Sequence, residues 1–300
     1  MKILITGGTG LIGSNIIKAL IAEYQNINIT IFTRNTLLTE NSSNIQIKYI
    51  DDINKLDKDY NIIINLAGEP INKGRWTDSK KARILSSRID ITKKLIEYIS
   101  KLEQKPELLI SGSAIGFYGS NPTQIFTEDS KADDDGFTHQ LCERWENIAN
   151  EAKDYGVRVV NLRTGIVLAK EGGILKEMLW PFKLALGCQI GDGKAYMSWI
   201  HIKDLCNIIM YIINNKNIEG PVNGTAPNPV QNRDFSKTLA KVLNRPMFLT
   251  MPSFIVKIMF GEMGEALLLN GQRVLPNKIT EAGYSFEFDN LNKALDNLFI

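Results

Sequence analysis

The chain has 300 residues, of which 44% are hydrophobic, and a formal net charge of +2 at pH 7. This length suits one large α/β domain or a domain with an added lobe, and the balanced charge argues against nucleic acid or an anionic membrane as a partner. The three cysteines lie far apart without metal-ligand spacing, so we expect no metal site. The start of the chain has no signal-peptide pattern and no apolar run approaches the ~20 residues of a membrane helix. We therefore expect a cytoplasmic protein.

Strand-like and helix-like segments alternate along the first half of the chain, which is typical of a parallel sheet with crossover helices. We predict strands at Lys2–Thr6, Ile29–Thr33, Ile47–Ile50, Ile62–Leu66, Leu108–Ser111 and Val157–Leu162. We predict helices at Leu11–Tyr24, about Ser79–Lys101, Gln140–Tyr155 and Asn232–Leu243, and loops at Gly187–Gly193 and Gly220–Pro229. The expected fold is a Rossmann-type, doubly wound α/β sheet over residues 1–245, with residues 246–300 completing a smaller C-terminal substrate lobe.

A glycine-rich turn joins the first predicted strand to the first predicted helix. It reads Thr6-Gly7-Gly8-Thr9-Gly10-Leu11-Ile12-Gly13. Gly7 allows a tight turn, Gly10 lets the backbone approach a pyrophosphate, and Gly13 lets the helix pack close to the strand. The helix N-terminus then offers free N–H groups and a positive dipole end to the anion. The pattern predicts a dinucleotide site.

The end of the second predicted strand bears on the choice of cofactor. An acid at this point would bind the adenosine ribose and repel a 2′-phosphate. The residues from Ile31 to Arg34 include no acid, and Arg34 is a planar cation suited to a phosphate. We therefore expect NADP(H) rather than NAD(H), with a solvated loop charge as the alternative interpretation of Arg34.

Several blocks occur in an order that is typical of one family. They are Thr6–Gly13, Asn65–Ile71, Ser111–Gly119, Arg163–Leu168 and Ser198–Asp204. With them the chain resembles the extended short-chain dehydrogenases/reductases, and more closely the atypical branch of epimerase-family proteins, some of which carry a cell-division-inhibitor label. Arg75-Trp76 with Lys80, Ser87 and Arg88 also fits this branch, and the tail from Gly261 to Pro276 looks like its C-terminal domain of unknown function.

The resemblance implies a set of cofactor contacts at the carboxyl ends of the strands, where open α/β sheets bind ligands. Around the pyrophosphate it places Gly7, Thr9, Gly10, Leu11 and Ile12. On the ribose side of the cofactor it places Ala67, Gly68 and Glu69. It places Ser111 to Ser113 beside the nicotinamide, and the backbone of Gly165, Ile166 and Val167 at the carboxamide edge.

The catalytic pattern of the superfamily is broken in this chain. Active members use a Ser or Thr with a Tyr-x-x-x-Lys unit, in which the Lys lowers the pKa of the Tyr that moves the proton. If Glu146 fills the acidic position four residues after the Lys, then Thr138 replaces the Tyr and Cys142 replaces the Lys. Ser113 falls near the serine position, and Ala114 is the alternative.

Three residues remain as catalytic candidates: Ser113, His139 and Tyr118. His139 is a candidate because an imidazole can act as a general acid or base, although an exposed or capping histidine is the alternative. For Tyr118 the alternative is a packing aromatic. Arg273 is a further candidate, which could reach a substrate anion from the C-terminal lobe.

The expected function is an NADP(H)-binding oxidoreductase or epimerase that acts on an unknown small or sugar-like substrate, as a monomer or homodimer. The alternative function is a catalytically weak, NADP(H)-binding regulatory or protein-interaction protein.

Overall fold

The computed structural model describes residues 1–34, 40–41 and 45–300, and at 40–41 only the backbone. The strands are β1 (Lys2–Thr6), β2 (Ile27–Phe32), β3 (Glu40–Asn41), β4 (Ile45–Ile50), β5 (Ile62–Asn65), β6 (Leu108–Ala114), β7 (Asn121–Phe126), β8 (Arg158–Thr164), β9 (Ile166–Leu168), β10 (Cys188–Ile190), β11 (Tyr196–Met197), β12 (Trp199–His201), β13 (Gly220–Gly224), β14 (Val230–Gln231), β15 (Leu249–Met251) and β16 (Gln272–Val274). The helices are α1 (Leu11–Glu23), α2 (Asp78–Lys101), α3 (Phe137–Asn150), α4 (Gly173–Lys183), α5 (Ile202–Asn214), α6 (Asn232–Val242), α7 (Ser253–Phe260), α8 (Glu262–Gly264), α9 (Asn277–Glu281) and α10 (Leu291–Phe299). Short 3₁₀ segments lie at Ile53–Lys55, Ile115–Tyr118 and Glu151–Tyr155, and a π-helical turn at Glu265–Leu269.

The main sheet has the order β13-β8-β6-β5-β1-β2-β4-β3. All neighbours in it pair in parallel except β3, which runs antiparallel to β4. The chain winds outward from β1 in both directions, so the strand order reverses between β1 and β5. The Rossmann-type α/β prediction is confirmed, and its topology places the ligand crevice at the carboxyl ends of these two strands.

Strand β1 shows why the sheet is covered on both faces. Ile3, Leu4 and Ile5 are each fully buried, and successive side chains of a strand point to opposite faces. Ile3 and Ile5 join the apolar cluster formed with α1 and α5, whereas Leu4 joins the cluster formed with α2. A continuous apolar run is what a strand needs when helices pack on both of its sides.

Several element boundaries differ from the sequence-based predictions by a few residues, and three of the differences are instructive. Helix α3 begins at Phe137, three residues before the predicted start, because Gly136, with a non-helical ψ of 168°, serves as its N-cap. The segment Gly220–Gly224, predicted as a loop, is the edge strand β13, paired with β8 over five residues. The predicted loop Gly187–Gly193 contains β10, which pairs with β15. Glycines in both segments, together with Pro221 in the first, weaken the local strand signal, and pairing with a distant strand decides the structure.

The C-terminal residues are joined to the rest of the chain by strand pairing and by a shared core. β15 pairs with β10, and β16 pairs with β7. Helix α10 packs against α6, and Leu291 and Leu295 share an apolar cluster with Trp199 and Phe235. This segment therefore builds a lobe together with residues from the middle of the chain.

Two polar residues at the start of α5 hold the C-terminal lobe in place. The carboxylate of Asp204 accepts hydrogen bonds from the Tyr284 hydroxyl and from the backbone amides of Glu287 and Phe288, at 2.8 to 2.9 Å. His201 caps α5 by accepting the Lys203 amide on Nδ1 at 3.1 Å, and its ring lies 3.9 Å from that of Phe288. Among the helices that the structure describes, none is long and apolar enough to cross a membrane.

Candidate functional site

The turn between β1 and α1 presents backbone amides to solvent. Gly7 has a φ of +70°, and the Gly10 amide donates to the Gly7 carbonyl at 2.9 Å, which closes the turn. Helix α1 begins at Leu11 with Gly10 as its N-cap, so no capping side chain covers its first amides. Thr9 and Gly10 are exposed, and Leu11 and Ile12 are half-buried. Because the first amides of a helix lack carbonyl partners within it, this turn has the geometry of a candidate anion site.

The three glycines of the motif meet different surroundings. A Cβ on Gly7 would lie 2.6 Å from the Leu66 carbonyl carbon, and a Cβ on Gly13 would lie 2.2 Å from the Gly7 oxygen. A Cβ on Gly10 would instead meet the Gly7 oxygen at 3.2 Å and, among the described residues beyond its chain neighbours, no other atom within 4 Å. Gly7 and Gly13 are therefore needed for packing, whereas the side of Gly10 is open, as close approach of a ligand requires.

A buried hydrogen-bond chain fixes the ends of β1 and β5. The Thr6 hydroxyl donates to Asn65 Oδ1 at 2.7 Å and accepts the Ala67 amide at 3.2 Å. Asn65 Nδ2 donates to the Thr92 hydroxyl at 2.8 Å, and Trp145 Nε1 donates to the same hydroxyl at 3.0 Å. The loop that starts at Ala67 is thus held by side chains of β1, α2 and α3.

The rest of this loop, Gly68 and Glu69, lies against cations of α2. Lys80 Nζ is 2.6 Å from Glu69 Oε1, and this hydrogen bond, with the charge of the lysine, lowers the pKa of Glu69. Arg88 donates to the Glu69 carbonyl at 3.1 Å, and a Cβ on Gly68 would lie 2.8 Å from Arg88 Cζ. Glu69 is therefore paired with Lys80. The Arg88 guanidinium packs against the backbone at Gly68, where there is no room for a side chain.

Ser111 and Ser113 lie at the carboxyl end of β6, and both are buried. Ser113 Oγ donates to Glu146 Oε1 at 2.6 Å. The same carboxylate receives two hydrogen bonds of 2.8 Å from Arg163, so the pair is bidentate and buried. Burial opposes the charge on Arg163, but the hydrogen bonds and charge of Glu146 outweigh it and raise the pKa of the guanidinium. The Ser113 hydroxyl is thus the end of a structural ion-pair network.

Tyr118 lies deeper in the same network. It is fully buried, its hydroxyl donates to Asn223 Oδ1 at 2.7 Å, and it accepts from Arg163 at 3.0 Å. Burial raises the pKa of Tyr118 to about 12, although Arg163 and Asn223 act in the opposite direction. A phenol in this position stays protonated near neutral pH, so the structure gives no support to Tyr118 as a proton-transfer group.

His139 lies on the first turn of α3, with its side chain 12% exposed. Its Nδ1 is 2.6 Å from the Phe117 carbonyl, and a carbonyl oxygen can only accept, so Nδ1 carries the proton of the neutral ring. Nε2 then bears the lone pair, 3.8 Å from a carboxylate oxygen of Glu143. The hydroxyls of Ser113 and Tyr118 are both engaged in buried hydrogen bonds. Among the three catalytic candidates, His139 is the one with a polar atom, Nε2, that makes no hydrogen bond to the described residues.

Thr138 and Cys142, at the positions of the missing Tyr and Lys, lie one turn apart on α3, although the predicted helix began only at Gln140. Thr138 packs on Gly116, where a Cβ would lie 3.0 Å from the Thr138 Cβ. Cys142 is buried, and burial, with the charge of Glu146, raises the pKa of its thiol to about 11 even though Arg88 favours the thiolate. The thiol is therefore inert near neutral pH, and the positive charge beside it comes from Arg88 on α2.

The segment from Gly165 to Val167 follows β8 at the same edge of the sheet. The Gly165 amide donates to the Gly224 carbonyl at 3.1 Å, and the Ile166 amide donates to the Ser198 carbonyl at 2.8 Å. A Cβ on Gly165 would lie 2.4 Å from that Ser198 oxygen. Protein carbonyls thus occupy these two amides, so a ligand at this edge would meet other atoms of the segment, including the half-buried side chains of Ile166 and Val167.

Arg34 is exposed and lies just beyond the end of β2, next to β1 in the sheet. The neighbouring Thr33 amide donates to the Ile50 carbonyl at 2.9 Å, which holds this end of the strand. Arg34 therefore stands on the β2 side of the glycine turn with its side chain accessible.

The structure brings the glycine turn, the Ala67–Glu69 loop and the end of β6 to one edge of the sheet. Sequence reasoning missed the pairing of Glu146 with Arg163 and the part that Lys80 and Arg88 play beside Glu69. One signal was present, since Arg163 is a charged residue directly after the predicted buried strand Val157–Leu162. Within the described ranges, no group of three or more His, Cys, Asp or Glu side chains is placed to hold a metal ion.

Comparison with known proteins agrees with this geometry. A family model described as "NAD dependent epimerase/dehydratase family" matches residues 3–223, and one described as "Domain of unknown function (DUF1731)" matches residues 251–298. The epimerase family protein YfhF of Bacillus subtilis is 37% identical over 301 residues, which cover 99% of this chain and 98% of the relative.

Two solved structures are similar over the whole chain. The crystal structure of human epimerase family protein SDR39U1 (isoform 2) with NADPH shows 30% identity and a TM-score of 0.87 and covers 99% of both chains. The nucleoside-diphosphate sugar epimerase from Corynebacterium glutamicum shows 30% identity and a TM-score of 0.78, over 100% of this chain and 58% of that chain. With its Rossmann-type fold and glycine turn, this chain belongs to the NAD dependent epimerase/dehydratase family, within the group of epimerase family proteins that carry the DUF1731 domain.

Proposed function

We propose that the protein is an NADP(H)-binding oxidoreductase or epimerase that acts on a small or sugar-like substrate. The observation that carries the proposal is the turn from β1 to α1. Gly7 and Gly13 are enclosed by backbone at 2.6 Å or less, whereas the side of Gly10 is open toward solvent and the first amides of α1. A turn built in this way fits a pyrophosphate.

The choice of NADP(H) over NAD(H) rests on the end of β2. Arg34 is exposed there, and the residues from Ile31 to Arg34 include no acid that would repel a 2′-phosphate. The relative SDR39U1, at 30% identity, was crystallised with NADPH. Both observations support NADP(H) as the cofactor.

A bound nicotinamide would supply or accept a hydride, and the chain must then move a proton on the attached oxygen of the substrate. We assign this role to Nε2 of His139, because Nδ1 is engaged with the Phe117 carbonyl. Arg88 supplies the positive charge that a lysine at position 142 would otherwise provide. Ser113 and Tyr118 hold the Glu146–Arg163 pair in place, and we give them no proton-transfer step.

We further propose that residues 1–245 bind the cofactor and that residues 246–300 complete the substrate lobe. The support is the placement of β16. It pairs with β7, which follows the end of β6, so the C-terminal segment borders the edge of the sheet that carries the glycine turn.

Binding and turnover test the proposal separately. NADPH at saturating concentration should raise the melting temperature and NADH should raise it less, since a ligand selective for the native state stabilises it. Oxidation of NADPH with a panel of carbonyl substrates should then show turnover, and His139→Gln should reduce kcat while leaving the NADPH shift unchanged. The proposal fails at its first step if neither coenzyme shifts the melting temperature.

A second candidate function is a cofactor-bound regulatory or interaction protein. The specific observation in its favour is that Ser113 and Tyr118 are committed to a buried network while Thr138 and Cys142 replace the usual Tyr and Lys. Binding of NADPH without turnover over a broad substrate panel would favour this function over the enzymatic one.

A further inference from the structure

We propose that Arg273 is the anion-binding residue of the substrate site and holds a carboxylate or phosphate group of the substrate. The inference rests on the proposed function, because it assigns the substrate class of the same site.

Four arginines are at least partly buried, and three of them have partners in the protein. Arg88 donates to two backbone carbonyls, and Arg158 donates to the carbonyls that follow α5 and to one within it. Arg163 forms the bidentate pair with Glu146. Burial of a guanidinium is costly unless its N–H groups are satisfied, and these three meet that requirement.

The guanidinium of Arg273 has no hydrogen-bond acceptor among the residues that the structure describes. Its Nε is fully buried without a hydrogen-bond partner, and no described carboxylate lies within salt-bridge distance of it. Its guanidinium carbon is 5.3 Å from the centre of the Tyr196 ring. A cation–π contact holds the head group in place but offers no acceptor to its N–H groups.

The strand that carries Arg273 is fixed to the candidate site. The Ser198 hydroxyl donates to the Gln272 carbonyl at 2.7 Å and accepts the Val274 amide at 2.9 Å. The carbonyl of the same Ser198 lies against Gly165, at the carboxyl end of β8. Val274 is buried in an apolar cluster, and alternation along the strand turns Arg273 to the other face, toward Tyr196. Arg273, with its unpartnered Nε, therefore stands between two residues that hydrogen-bond to Ser198. The carbonyl of Ser198 in turn meets the backbone at Gly165 and Ile166, which we expect beside the carboxamide of the cofactor.

The chemistry of the side chain defines the ligand. A planar guanidinium donates in a fork that matches two oxygens of a carboxylate or a phosphate. An aromatic ring beside it keeps the fork in one orientation. We infer that the substrate carries an oxyanion group, which Arg273 orients so that the reacting carbon faces the cofactor.

The test measures anion binding directly. Inorganic phosphate and malonate are titrated into the protein with saturating NADPH, with sodium chloride at matched ionic strength as the blank, and the melting temperature is recorded. We expect at least one of the two to stabilise the wild type and Arg273→Met to weaken that binding by about tenfold or more, as loss of charged hydrogen bonds implies. Arg233→Met, at an exposed arginine of α6, is the matched control and should bind as the wild type does.

Each arm has a decisive result. Equal binding by Arg273→Met and wild type, or binding of neither anion, overturns the proposal while the shift caused by NADPH alone still reports on the proposed function. Phosphate also fits the glycine turn, which is why the titration is made with NADPH bound there. If the titration is repeated without NADPH, only the phosphate binding that Arg273→Met abolishes is assigned to Arg273. If Arg273→Met does not fold, Arg273→Gln decides by the same criterion. Whichever of the two anions, malonate or phosphate, stabilises the wild type more shows whether Arg273 prefers a carboxylate or a phosphate group.

Discussion

The glycine turn after β1 and the end of β6 with α3 lie at the same edge of the sheet, yet they are built in opposite ways. The turn is open, and its functional atoms are backbone amides at Gly10 and the start of α1. The β6 side is closed, because Ser113 is tied to the buried pair of Glu146 and Arg163. One edge of the sheet thus combines an open turn, whose amides are free to meet a ligand, with a closed region in which a buried ion pair engages the serine hydroxyl.

The largest expected effect comes from breaking the closed region. Glu146→Leu leaves Arg163 buried and unpaired, so we expect a loss of about 3–5 kcal/mol in the free energy of unfolding, measured by urea denaturation. Glu143→Gln, at an exposed residue one turn earlier in α3, should change it by less than about 0.5 kcal/mol. A loss under about 1 kcal/mol for Glu146→Leu would show that the pair is not the structural element described here.

The open region should respond in the opposite way, through binding rather than stability. A methyl group on Gly10 meets the protein at 3.2 Å but enters the space of the pyrophosphate. We expect Gly10→Ala to weaken NADPH binding by about 100-fold, or about 2.7 kcal/mol, in a fluorescence titration. The unfolding free energy should stay within about 1 kcal/mol of the wild type. Lys18→Ala, at an exposed residue of α1, is the control. Unchanged affinity in Gly10→Ala would place the ligand elsewhere.

The two histidines differ in role, since His201 caps α5 inside the fold whereas His139 is the proposed proton-transfer residue. Burial lowers the pKa of His201 from 6.5 to about 4, so the folded state prefers the neutral ring that accepts the Lys203 amide. A depressed pKa gives stability that is present above pH 6.5 and is lost as the pH falls toward 4. Between pH 7 and pH 5 this amounts to about 2 kcal/mol.

The measurement is urea denaturation at both pH values. His201→Asn should remove most of this pH dependence, since Asn still caps a helix but does not titrate in this range. His139→Gln should leave the dependence in place. If the free energy of unfolding falls equally between pH 7 and pH 5 in the wild type and in His201→Asn, His201 is not the source of this pH dependence.

The smallest effect concerns the cofactor and tests the adenosine side of the open region. Arg34→Asp places a carboxylate where the 2′-phosphate is expected, so the preference for NADPH over NADH should fall by about tenfold or more, or about 1.4 kcal/mol. The ratio of the two dissociation constants measures it. Arg34→Met separates loss of the cation from the added repulsion and should give a smaller change. A ratio that both variants leave unchanged would make Arg34 a solvated loop residue.

Much of the fold could be predicted because its signals are local. The apolar run of β1, the glycines after it and the apolar stripe of α1 lie within twenty-three residues and specify strand, turn and helix together. The edge strand β13 could not be predicted in this way. Its sequence from Gly220 to Gly224 favours a turn, and only pairing with β8 makes it a strand.

The same division applies to the candidate site. The glycine turn and the uncapped amides at the start of α1 could be read from the sequence, because the residues that form them are neighbours in the chain. Only the tertiary structure decided that the Ser113 hydroxyl meets Glu146, 33 residues away, and that Tyr118 meets Asn223, 105 residues away. It also left Arg273 beside Tyr196 without an acceptor among the described residues. The physical reason is that a hydrogen bond or an ion pair depends on distance in space, and a local pattern does not specify which distant side chain will come within reach.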